Sequence, residues 1–446
     1  MFRSLPPYAQ MTHNPFWSAP TPSQWSVQPG LAVLQENRHK NDGLVESQVL
    51  SLSYGHVVVK PIEKQRGLVP DSYEGYQILD PGDIVVRPTD LQNDQTSIRV
   101  GHVKDRGIIT SAYIGLRPAG AWSDSYAYQY LSVVDSSKRI YGMGSGLRQQ
   151  LRWSDLKRMP CLVPSAEEQA AIVKYLAHAN ARIDKAIAAK RRLVALLREE
   201  ATAASRVIFA ELNAPILRAK DACLRIIDCK NRTPDYVEGG GFHVIRTTCV
   251  RAGKFSMEGS YPTDAENFAT WTQRGVPEFG DVFFTREAPA GEAALVPAGI
   301  DVCLGQRMML YRPDPLKIRS EYLMHAIYDE PARRFISLAT NGSTVGHLRV
   351  GDIGAIPVRV PELSVQDEVL KKIRHIVSTT AQAVNRIERE IALLQEFRTR
   401  LVADVVTGQV DVRAIAATLP DAPESFDNTV SATDDDLEEA LNEGEE

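Results

Sequence analysis

Two long stretches of the chain combine a narrow hydrophobic stripe with the absence of helix-breaking residues. The first runs from Ser165 to Leu212 and the second from Ser364 to Thr407, and neither contains Gly or Pro. Apolar residues recur in both at alternating spacings near three and four, which predicts long amphipathic helices or coiled-coil strands. The stripe residues are Ile172, Leu176, Ala179, Ile183, Ala186, Leu193, Leu197, Ala204 and Val207 in the first, and Val369, Ile373, Ile376, Thr380, Ala383, Ile387, Ile391, Leu394, Leu401 and Val405 in the second.

The ends of these helices carry recognisable signals. Ser165 and Glu168 form an S-x-x-E capping box that predicts a helix start, and Gly408 predicts the end of the second helix. Helices of about 45 residues would be close to 70 Å long at about 1.5 Å per residue. Neither could bury its stripe alone, so we expect the two helices to pack against each other in antiparallel orientation. Two independent helices that dock onto partner proteins are the alternative.

The regions before each helix have a different pattern. Short β-branched and aromatic runs alternate with turn signals, which predicts compact domains with much strand and some helix. The segments GYQILDPGDIVVRP (75–88) and EFGDVFFTR (278–286) both predict a strand, a Gly-Asp turn and a second strand.

The two halves of the chain are related by an internal repeat. LRWSDLKRMPCLVPSAEEQ, from Leu151 to Gln169, aligns with LRVGDIGAIPVRVPELSVQ, from Leu348 to Gln366, at a constant offset of 197 residues. The ordered recurrence of these pairs indicates a duplicated unit. Further pairs at nearly the same offset are Gly82-Asp83 with Gly280-Asp281, Arg117-Pro118 with Arg312-Pro313, and Gly144-Ser145 with Gly342-Ser343.

Composition and charge restrict the function classes. Hydrophobic residues make up 43% and charged residues 24% of the 446 residues, as in ordinary soluble proteins. No apolar run is long enough to span a membrane, and the N-terminal segment has no secretory signal pattern, so we expect a cytoplasmic protein. The formal charge of −5 conceals eleven acidic and no basic residues from Leu419 to Glu446. The remaining body is mildly basic, which is compatible with a polyanionic partner.

Cysteine and histidine spacing gives no sign of a metal or disulfide site. The five cysteines form no CxxC pair, and the histidines form no HExxH or HxH cluster. We therefore predict no metal site and buried or inert thiols. These cysteines are Cys161, Cys223, Cys229, Cys249 and Cys303.

A set of motifs present twice resembles a known family. The first copy reads GSGLRQQLRWSDLKRMPCLVPSAEEQAAIVKYL and the second GSTVGHLRVGDIGAIPVRVPELSVQDEVLKKI, each leading into a long helix. Together with CKNRTP at 229–234 and the closing segment QEFRTRLVADVVTGQVDVR, these motifs are similar to the specificity subunit of type I restriction-modification systems. The resemblance covers about residues 20 to 413.

The resemblance implies an α+β fold in which two globular mixed α/β target recognition domains are separated by a long antiparallel two-helix coiled coil, with a pseudo-two-fold internal repeat. Each domain would read one half of a bipartite, asymmetric site in double-stranded DNA. The implied division is residues 1–160 and 213–360 for the two target recognition domains, 161–212 and 361–412 for the spacer helices, and 413–446 for an acidic disordered tail.

The same resemblance implies the partners. Two methyltransferase subunits that use S-adenosylmethionine to methylate adenine would dock on the chain, and two motor-nuclease subunits could join to cleave DNA with ATP and Mg. The chain itself would be non-catalytic and without a cofactor. Residues near the helix starts that could serve docking are Glu167, Gln169, Gln366, Asp367 and Glu368.

The residues themselves give no catalytic constellation. There is no P-loop, and Asn14-Pro15-Phe16-Trp17 only approaches an amino-methyltransferase loop without a glycine-rich cofactor turn. Asp71 with Glu74, and Asp235 with Glu238, lack the lysine partner of a metal-dependent nuclease, so solvated loop charges explain them better. A non-catalytic coiled-coil scaffold whose domains bind proteins is the alternative to DNA recognition.

DNA recognition needs cations for phosphates and polar side chains for base edges, and both domains offer them on loops. Any single residue is better explained as a solvated surface charge than as a DNA contact, so the prediction concerns the set. In the first half the candidates are Lys60, Lys64, Arg66, Arg87, Gln92, Asn93, Gln95, Lys104, Arg106, Arg148, Gln149 and Gln150; in the second they are Lys230, Asn231, Arg232, Arg246, Arg251, Lys254, Arg286, Arg307, Thr344 and His347.

Overall fold

The chain folds into two compact units in a computed structural model. Unit 1 comprises Met1–Arg192 with Glu388–Glu446, and unit 2 comprises Leu193–Ile387. The structure describes residues 5–53, 55–60, 72–89, 91, 98–144, 150–230, 232–340 and 346–423.

Two very long helices dominate the secondary structure, and each contributes one part to unit 1 and the other part to unit 2. No helix in the described ranges is long and apolar enough to cross a membrane. The helices are α1 (Asp124–Ser136), α2 (Trp153–Leu156), α3 (Ala166–Ala210), α4 (Ala265–Trp271), α5 (Ser320–Ala326), α6 (Glu330–Thr340), α7 (Val350–Ile353), α8 (Leu363–Val406) and α9 (Arg413–Ala416).

Short strands make up the rest of both units. In unit 1 they are β1 (Met11–Asn14), β2 (Ala19–Pro22), β3 (Ser26–Pro29), β4 (Leu34–Glu36), β5 (Leu50–Ser53), β6 (His56–Val59), β7 (Gln77–Leu79), β8 (Ile84–Val86), β9 (Val100–His102), β10 (Gly107–Ile109), β11 (Ile114–Pro118) and β12 (Pro160–Val163). In unit 2 they are β13 (Ile216–Arg218), β14 (Cys223–Asp228), β15 (Phe242–Ile245), β16 (Val250–Arg251), β17 (Lys254–Phe255), β18 (Tyr261–Thr263), β19 (Val282–Thr285), β20 (Ala293–Leu295), β21 (Val302–Leu304), β22 (Met308–Pro313) and β23 (Pro357–Arg359).

Unit 1 is built on a six-stranded sheet in the order β4-β11-β8-β9-β6-β5. Its pairs are antiparallel except β6 with β9, which are parallel. The β-branched run Ile84-Val85-Val86 is fully buried, as expected for a central strand. Tyr126 and Tyr130 of α1 lie in the same core as Ile84.

Unit 2 is built on two smaller sheets. One has the antiparallel order β14-β22-β19-β20, and the other has the order β18-β15-β21, in which β15 and β21 are parallel. Val282, Phe283 and Phe284 of β19 are fully buried. Two separate cores, one containing Phe284 and the other Phe283, therefore lie on the two faces of this strand.

The repeat predicted from sequence is confirmed in the framework of both units. In unit 1, Asp83 follows the Gly-Asp turn and accepts hydrogen bonds from Arg117 Nε and a terminal guanidinium nitrogen, both at 2.8 Å. In unit 2, Asp281 accepts the same two bonds from Arg312 at 3.0 and 2.7 Å. Both carboxylates are almost completely buried, so each ion pair fixes a turn against a strand.

A buried glutamine holds the start of α3. Gln169 Nε2 donates to Ala121 O at 2.6 Å and Pro164 O at 3.0 Å, and its Oε1 accepts from Ser123 N at 2.9 Å. The amide thus connects the helix start to the residue that caps α1.

The equivalent glutamine holds the start of α8 in the same way. Gln366 Nε2 donates to Lys317 O and Pro361 O, both at 2.8 Å, and its Oε1 accepts from Arg319 N at 2.8 Å. Three equivalent bonds in each unit show that the duplication extends to side-chain geometry.

The two long helices run antiparallel within unit 1. Asp184 of α3 is paired with Arg398 of α8, and Lys190 is paired with Glu390. Residue numbers rise along one helix while they fall along the other, as predicted. In unit 2, Phe209 near the end of α3 shares a core with Ile373 near the start of α8.

The hydrophobic seam of α3 differs from the prediction in its second half. Leu193 and Val207 are 46% and 53% exposed, whereas Val194 and Phe209 are buried. The buried residues Ile187 and Val194 are one heptad apart, so they lie on the same face of α3. Leu193 and Val194 are both apolar, so the sequence pattern alone did not distinguish them.

The strand predicted before the Gly-Asp turn of unit 2 was also wrong. Residues 275–280 form no strand, and the Phe279 side chain is 78% exposed. The Asp281 carboxylate accepts a bond from Glu278 N at 2.9 Å, so this backbone curves into a turn.

Candidate nucleic-acid interface

Three carbonyl groups of a loop in unit 2 are held by side chains from neighbouring elements. The loop spans residues 229–241, between β14 and β15, and residue 231 lies outside the described residues. Trp271 Nε1 donates to Arg232 O at 2.9 Å, Tyr261 OH to Pro234 O at 2.6 Å, and Thr263 Oγ1 to Asp235 O at 2.8 Å. Because these bonds use carbonyl groups, the side chains of Arg232 and Asp235 stay exposed.

A glycine allows this close approach. A Cβ built on Gly240 would lie 2.2 Å from Thr263 O, so no other residue fits without displacing backbone. Gly240 therefore has a structural role in placing the loop against β18, whereas a Cβ on Gly239 or Gly241 would meet no atom within 4 Å.

The exposed side of this loop combines cations with aromatic rings. Tyr236 is 64% exposed, and Arg232 is also exposed. Lys230 Nζ donates to Gln273 Oε1 at 3.0 Å and lies 5.6 Å from the centre of the Trp271 ring. We call this region the loop surface; its residues are Lys230, Arg232, Tyr236, Arg246, Trp271 and Arg274.

Two cations of the loop surface approach the loop from neighbouring elements. Arg246 Nε donates to Gly259 O at 2.6 Å, and its guanidinium lies 5.6 Å from the Tyr261 ring. Arg274 donates to Cys229 O at 3.0 Å at the beginning of the loop. Both side chains are exposed beyond these contacts.

Sequence reasoning missed Tyr236, Trp271 and Arg274 as members of this surface. The run Trp271-Thr272-Gln273-Arg274 begins at the last residue of α4 and offers an aromatic ring, an amide and a guanidinium within four residues. That combination of residue types was the signal that could have identified them.

Two more of the predicted cations, Arg251 and Lys254, lie on either side of a two-residue hairpin turn. Ala252 and Gly253 have positive φ values of 45° and 79°, and Arg251 lies directly opposite Lys254 in the β16–β17 pair. Both side chains are exposed. Like charges directly opposite each other are destabilising in a hairpin, so a bound anion would relieve this pair.

A third group of predicted residues is brought together around one carboxylate. Arg307 Nε lies 2.8 Å from one Glu287 oxygen, and His347 Nδ1 lies 3.4 Å from the other. Arg286 is nearly buried, and its guanidinium donates to Gln306 O at 3.0 Å. Arg286 therefore supports the backbone, and Glu287 partly neutralises the other two.

In each unit, a backbone hydrogen bond joins the segment that follows the Gly-Ser motif to the segment just after the strand that follows the Gly-Asp turn. Leu151 N donates to Pro88 O at 3.0 Å in unit 1, and Leu348 N donates to Arg286 O at 2.9 Å in unit 2. The same backbone hydrogen bond therefore recurs in both units at almost the same sequence offset.

The predicted residues of unit 1 are more scattered. Lys104 and Gln150 are exposed, and Lys60 and Arg87 are half-buried. Arg106 lies 3.2 Å from Glu46 and also pairs with Asp80, which offsets its charge. The candidates that lie outside the described residues of either unit are Lys64, Arg66, Gln92, Asn93, Gln95, Arg148, Gln149, Asn231 and Thr344.

The candidate docking residues have unequal access to a partner. Gln169 and Gln366 are buried and their amides are fully engaged with backbone, so docking through them is not proposed. Asp367 is exposed but pairs with Arg319 through two bonds of 3.0 and 3.1 Å. Glu167 is exposed on the first turn of α3, and Glu368 is exposed on the second turn of α8.

The cysteines have the properties of neutral, packed thiols. Burial raises the pKa of Cys229 to about 11 and the pKa values of Cys223 and Cys303 to about 12. Such thiols are protonated near neutral pH and are poor nucleophiles. Within the described ranges, no group of three or more His, Cys, Asp or Glu side chains could hold a metal ion.

The chain is similar to known proteins in its structure and not detectably in its sequence. No protein-family model and no curated protein sequence matches the chain. A chain from a structural study of complex assembly and conformational transition of the type I R-M system is similar to 87% of this chain and 99% of its own length, with a TM-score of 0.58 at 14% identity. The chain has the fold of that protein. This confirms, at the level of fold, the resemblance identified in the sequence.

Two further solved structures are similar over most of their length. The HsdS subunit from Thermoanaerobacter tengcongensis has a TM-score of 0.43 at 15% identity, covering 87% of this chain and 98% of its own. The type I restriction-modification S subunit from M. genitalium has a TM-score of 0.34 at 15% identity, covering 86% and 96%.

Proposed function

We propose that this chain is the DNA-recognition subunit of a type I restriction-modification complex. In this proposal unit 1 and unit 2 each read one half of a bipartite, asymmetric site in double-stranded DNA. The observation that carries it is the duplicated framework with unlike loops. The same buried Asp–Arg pair and the same buried glutamine occur in both units, whereas the side chains on the loops differ.

The loop surface has the chemistry that duplex recognition needs. Its lysine and arginines can neutralise phosphates and fix the register, and an exposed arginine can also donate two bonds to a guanine edge. The hydrogen bonds to the backbone of loop 229–241 already restrain it in the free protein, so less conformational entropy is lost on binding. The fold likeness to the type I R-M chain supports the same assignment.

The proposal assigns catalysis to partners. Two adenine methyltransferase subunits would dock on the helical parts of the chain and supply S-adenosylmethionine chemistry, and motor-nuclease subunits would supply ATP- and Mg-dependent cleavage. The exposed Glu167 and Glu368 stay candidates for docking. The proposed domain division is residues 1–160 and 213–360 for recognition, 161–212 and 361–412 for the helices, and 413–446 for the C-terminal segment.

Methylation-sensitive sequencing of the native genome tests the proposal. The expected result is methyladenine in a split sequence of two unlike words separated by a fixed gap. A single uninterrupted word, or no motif that depends on this gene, would contradict it.

A variant of the loop surface assigns one word to unit 2. Arg232→Gln in the full complex should reduce discrimination at one word by about 1 to 3 kcal/mol if Arg232 reads a base, or lower the salt dependence of binding by about one unit if it contacts a phosphate. The measurement is DNA affinity across substituted sites and salt concentrations. Arg334→Gln, on the exposed side of α6, is the matched control. Equal loss at both words would exclude unit 2 as the reader of one.

A further inference from the structure

A row of basic residues lies along one face of α3 in unit 1. At about 100° per residue, Lys174, His178, Arg182, Lys185 and Arg192 fall within an arc of about 80° on the helix. The buried seam of the same helix lies on the opposite side. We call these five residues the basic stripe; it is about 27 Å long at about 1.5 Å per residue.

The segment after α8 is fastened to unit 1 beside this helix. Gln409 Nε2 donates to Pro20 O at 2.6 Å, and Asp411 N donates to Pro6 O at 2.7 Å. Arg413 of α9 lies 3.7 Å from the buried Glu168 on the first turn of α3. Residues 413–423 are therefore ordered, unlike the disordered tail expected from sequence.

This segment then reaches the beginning of the basic stripe. His178 Nε2 lies 2.9 Å from Pro420 O, and Lys174 Nζ donates to Asp421 Oδ1 at 3.0 Å. Asp421 is the first acidic residue of the C-terminal acidic run. The C-terminal segment therefore reaches one end of the basic stripe, where Asp421 already pairs with Lys174.

The remaining C-terminal residues have the opposite charge to the stripe. Residues 424–446 contain ten acidic and no basic residues and lie outside the described part of the chain. A segment of this length can reach about 75 Å at about 3.3 Å per residue, which exceeds the length of the stripe.

We propose that the basic stripe of α3 is an anion-binding surface whose intramolecular ligand is the acidic segment 424–446. The tethered segment competes with external polyanions for the stripe. Exposed ion pairs of this kind are individually weak, so the contact is exchangeable and sensitive to salt. Tethering supplies a local concentration of about the millimolar range, which compensates for the weakness of each pair.

The repeat provides an internal contrast. At the repeat offset of 197 residues, the positions of α8 that correspond to the stripe are Lys371, His375, Thr379, Gln382 and Arg389. The duplicated helix therefore lacks the two central cations of the stripe, and it offers a site for control substitutions.

A labelled synthetic peptide of residues 424–446 tests the contact directly. The acceptor is the full chain in which the ten acidic residues of this segment are replaced by Asn or Gln. Fluorescence anisotropy should detect binding that weakens at least about tenfold between about 50 and about 200 mM salt. The chain with its native segment should bind the peptide at least about tenfold more weakly, because its own segment occupies the stripe.

Substitutions locate the binding site. Adding Arg182→Gln, Lys185→Gln and Arg192→Gln to the acceptor should weaken peptide binding at least about tenfold. Lys371→Gln, Lys372→Gln and Arg386→Gln remove three exposed cations from α8 and should leave binding within about twofold. Thermal unfolding of each variant, followed by circular dichroism, establishes that the fold is retained.

Three results would overturn the inference: absence of peptide binding, equal binding to the chain with its native acidic segment, or equal weakening by the α8 variant. None of these measurements uses DNA. Their failure would leave the proposed recognition function intact, and a genome without a bipartite motif would leave the peptide result intact.

Discussion

Units 1 and 2 have the same framework and different surfaces. The pair Asp83 and Arg117 recurs as Asp281 and Arg312, with the same two bonds to the carboxylate. The side chains on the loops differ between the two units: the loop after β14 carries Lys230, Arg232 and Tyr236, whereas the loop after the equivalent strand β4 carries Arg38, His39 and Lys40. Buried polar contacts demand specific partners, whereas exposed side chains do not, so one framework can support two unlike binding surfaces.

The two equivalent Asp–Arg ion pairs differ most in the solvent exposure of the arginine. Arg312 has a side-chain exposure of 18%, against 46% for Arg117. The same ion pair is therefore more strongly desolvated in unit 2. Matched substitutions in the two units can measure how far this difference matters.

The largest expected effect comes from the buried carboxylates. Asp281→Ala should lower the free energy of unfolding by about 3 kcal/mol, because it removes the buried partner of a largely buried guanidinium and leaves only the exposed Glu278 paired with it, and Asp83→Ala should cost about 1 kcal/mol less. Urea unfolding of the full chain, followed with probes in each unit, measures both. An equal or reversed order would show that exposure of the arginine does not determine the cost.

Replacement of either buried glutamine should cause a smaller loss of unfolding free energy, equal in the two units. Gln169→Ala and Gln366→Ala each remove three hydrogen bonds and leave one part-buried backbone N–H without the glutamine oxygen that it donates to, so we expect about 2 kcal/mol for each. The same unfolding experiment applies. A difference greater than about 1 kcal/mol would break the equivalence of the two helix starts.

Replacement of two equivalent tyrosines by phenylalanine should change the stability of the protein in different directions. Tyr126 OH lies 3.4 Å from Leu162 O, whereas the buried Tyr322 hydroxyl has no hydrogen-bond partner among the described residues. Tyr322→Phe should therefore stabilise unit 2 by about 1 kcal/mol, and Tyr126→Phe should be neutral or slightly destabilising. Thermal shifts of the single variants test this, and loss of stability in Tyr322→Phe would indicate a hidden partner.

The smallest effect concerns pH. Burial lowers the pKa of His102 in unit 1, where Asp124 opposes and Lys104 adds to the shift, and it lowers the pKa of His325 in unit 2, where Glu321 opposes and Arg374 adds. A neutral folded histidine contributes stability that is complete above the unfolded value of 6.5 and is lost as pH falls below it.

Substitution of either histidine should flatten this pH dependence. His102→Gln and His325→Gln should each reduce the loss of stability between about pH 7.5 and about pH 5. The measurement is the urea midpoint at both pH values for each variant and for the unsubstituted chain. A steeper loss in either variant would mean that the histidine is charged in the folded state.

The regularities of the sequence predicted the framework well. The helix expected after Ser165 begins at Ala166, and Glu168 N donates to Ser165 Oγ at 3.2 Å, as the capping box requires. Gly408, expected to end α8, has a φ of 73°. These signals are local, because a cap or a left-handed glycine depends on only a few neighbouring residues.

The candidate site was less predictable. Lys230 and Arg232 were identified from residue type, but Arg286 is nearly buried and Arg106 is paired with acids. Trp271 and Arg274 were missed because they join the loop surface from a separate element. A list of cations along a sequence does not indicate which are opposed by carboxylates from distant segments.

By itself, the sequence determined the duplication, the two long helices and their ends, since periodicity, offset and capping are properties of the chain. The tertiary structure alone decided which apolar residue of α3 faces its partner, which arginines are exposed and where the C-terminal segment is fastened. Those outcomes depend on contacts between residues far apart in sequence, and their free energies arise only when burial brings the partners together.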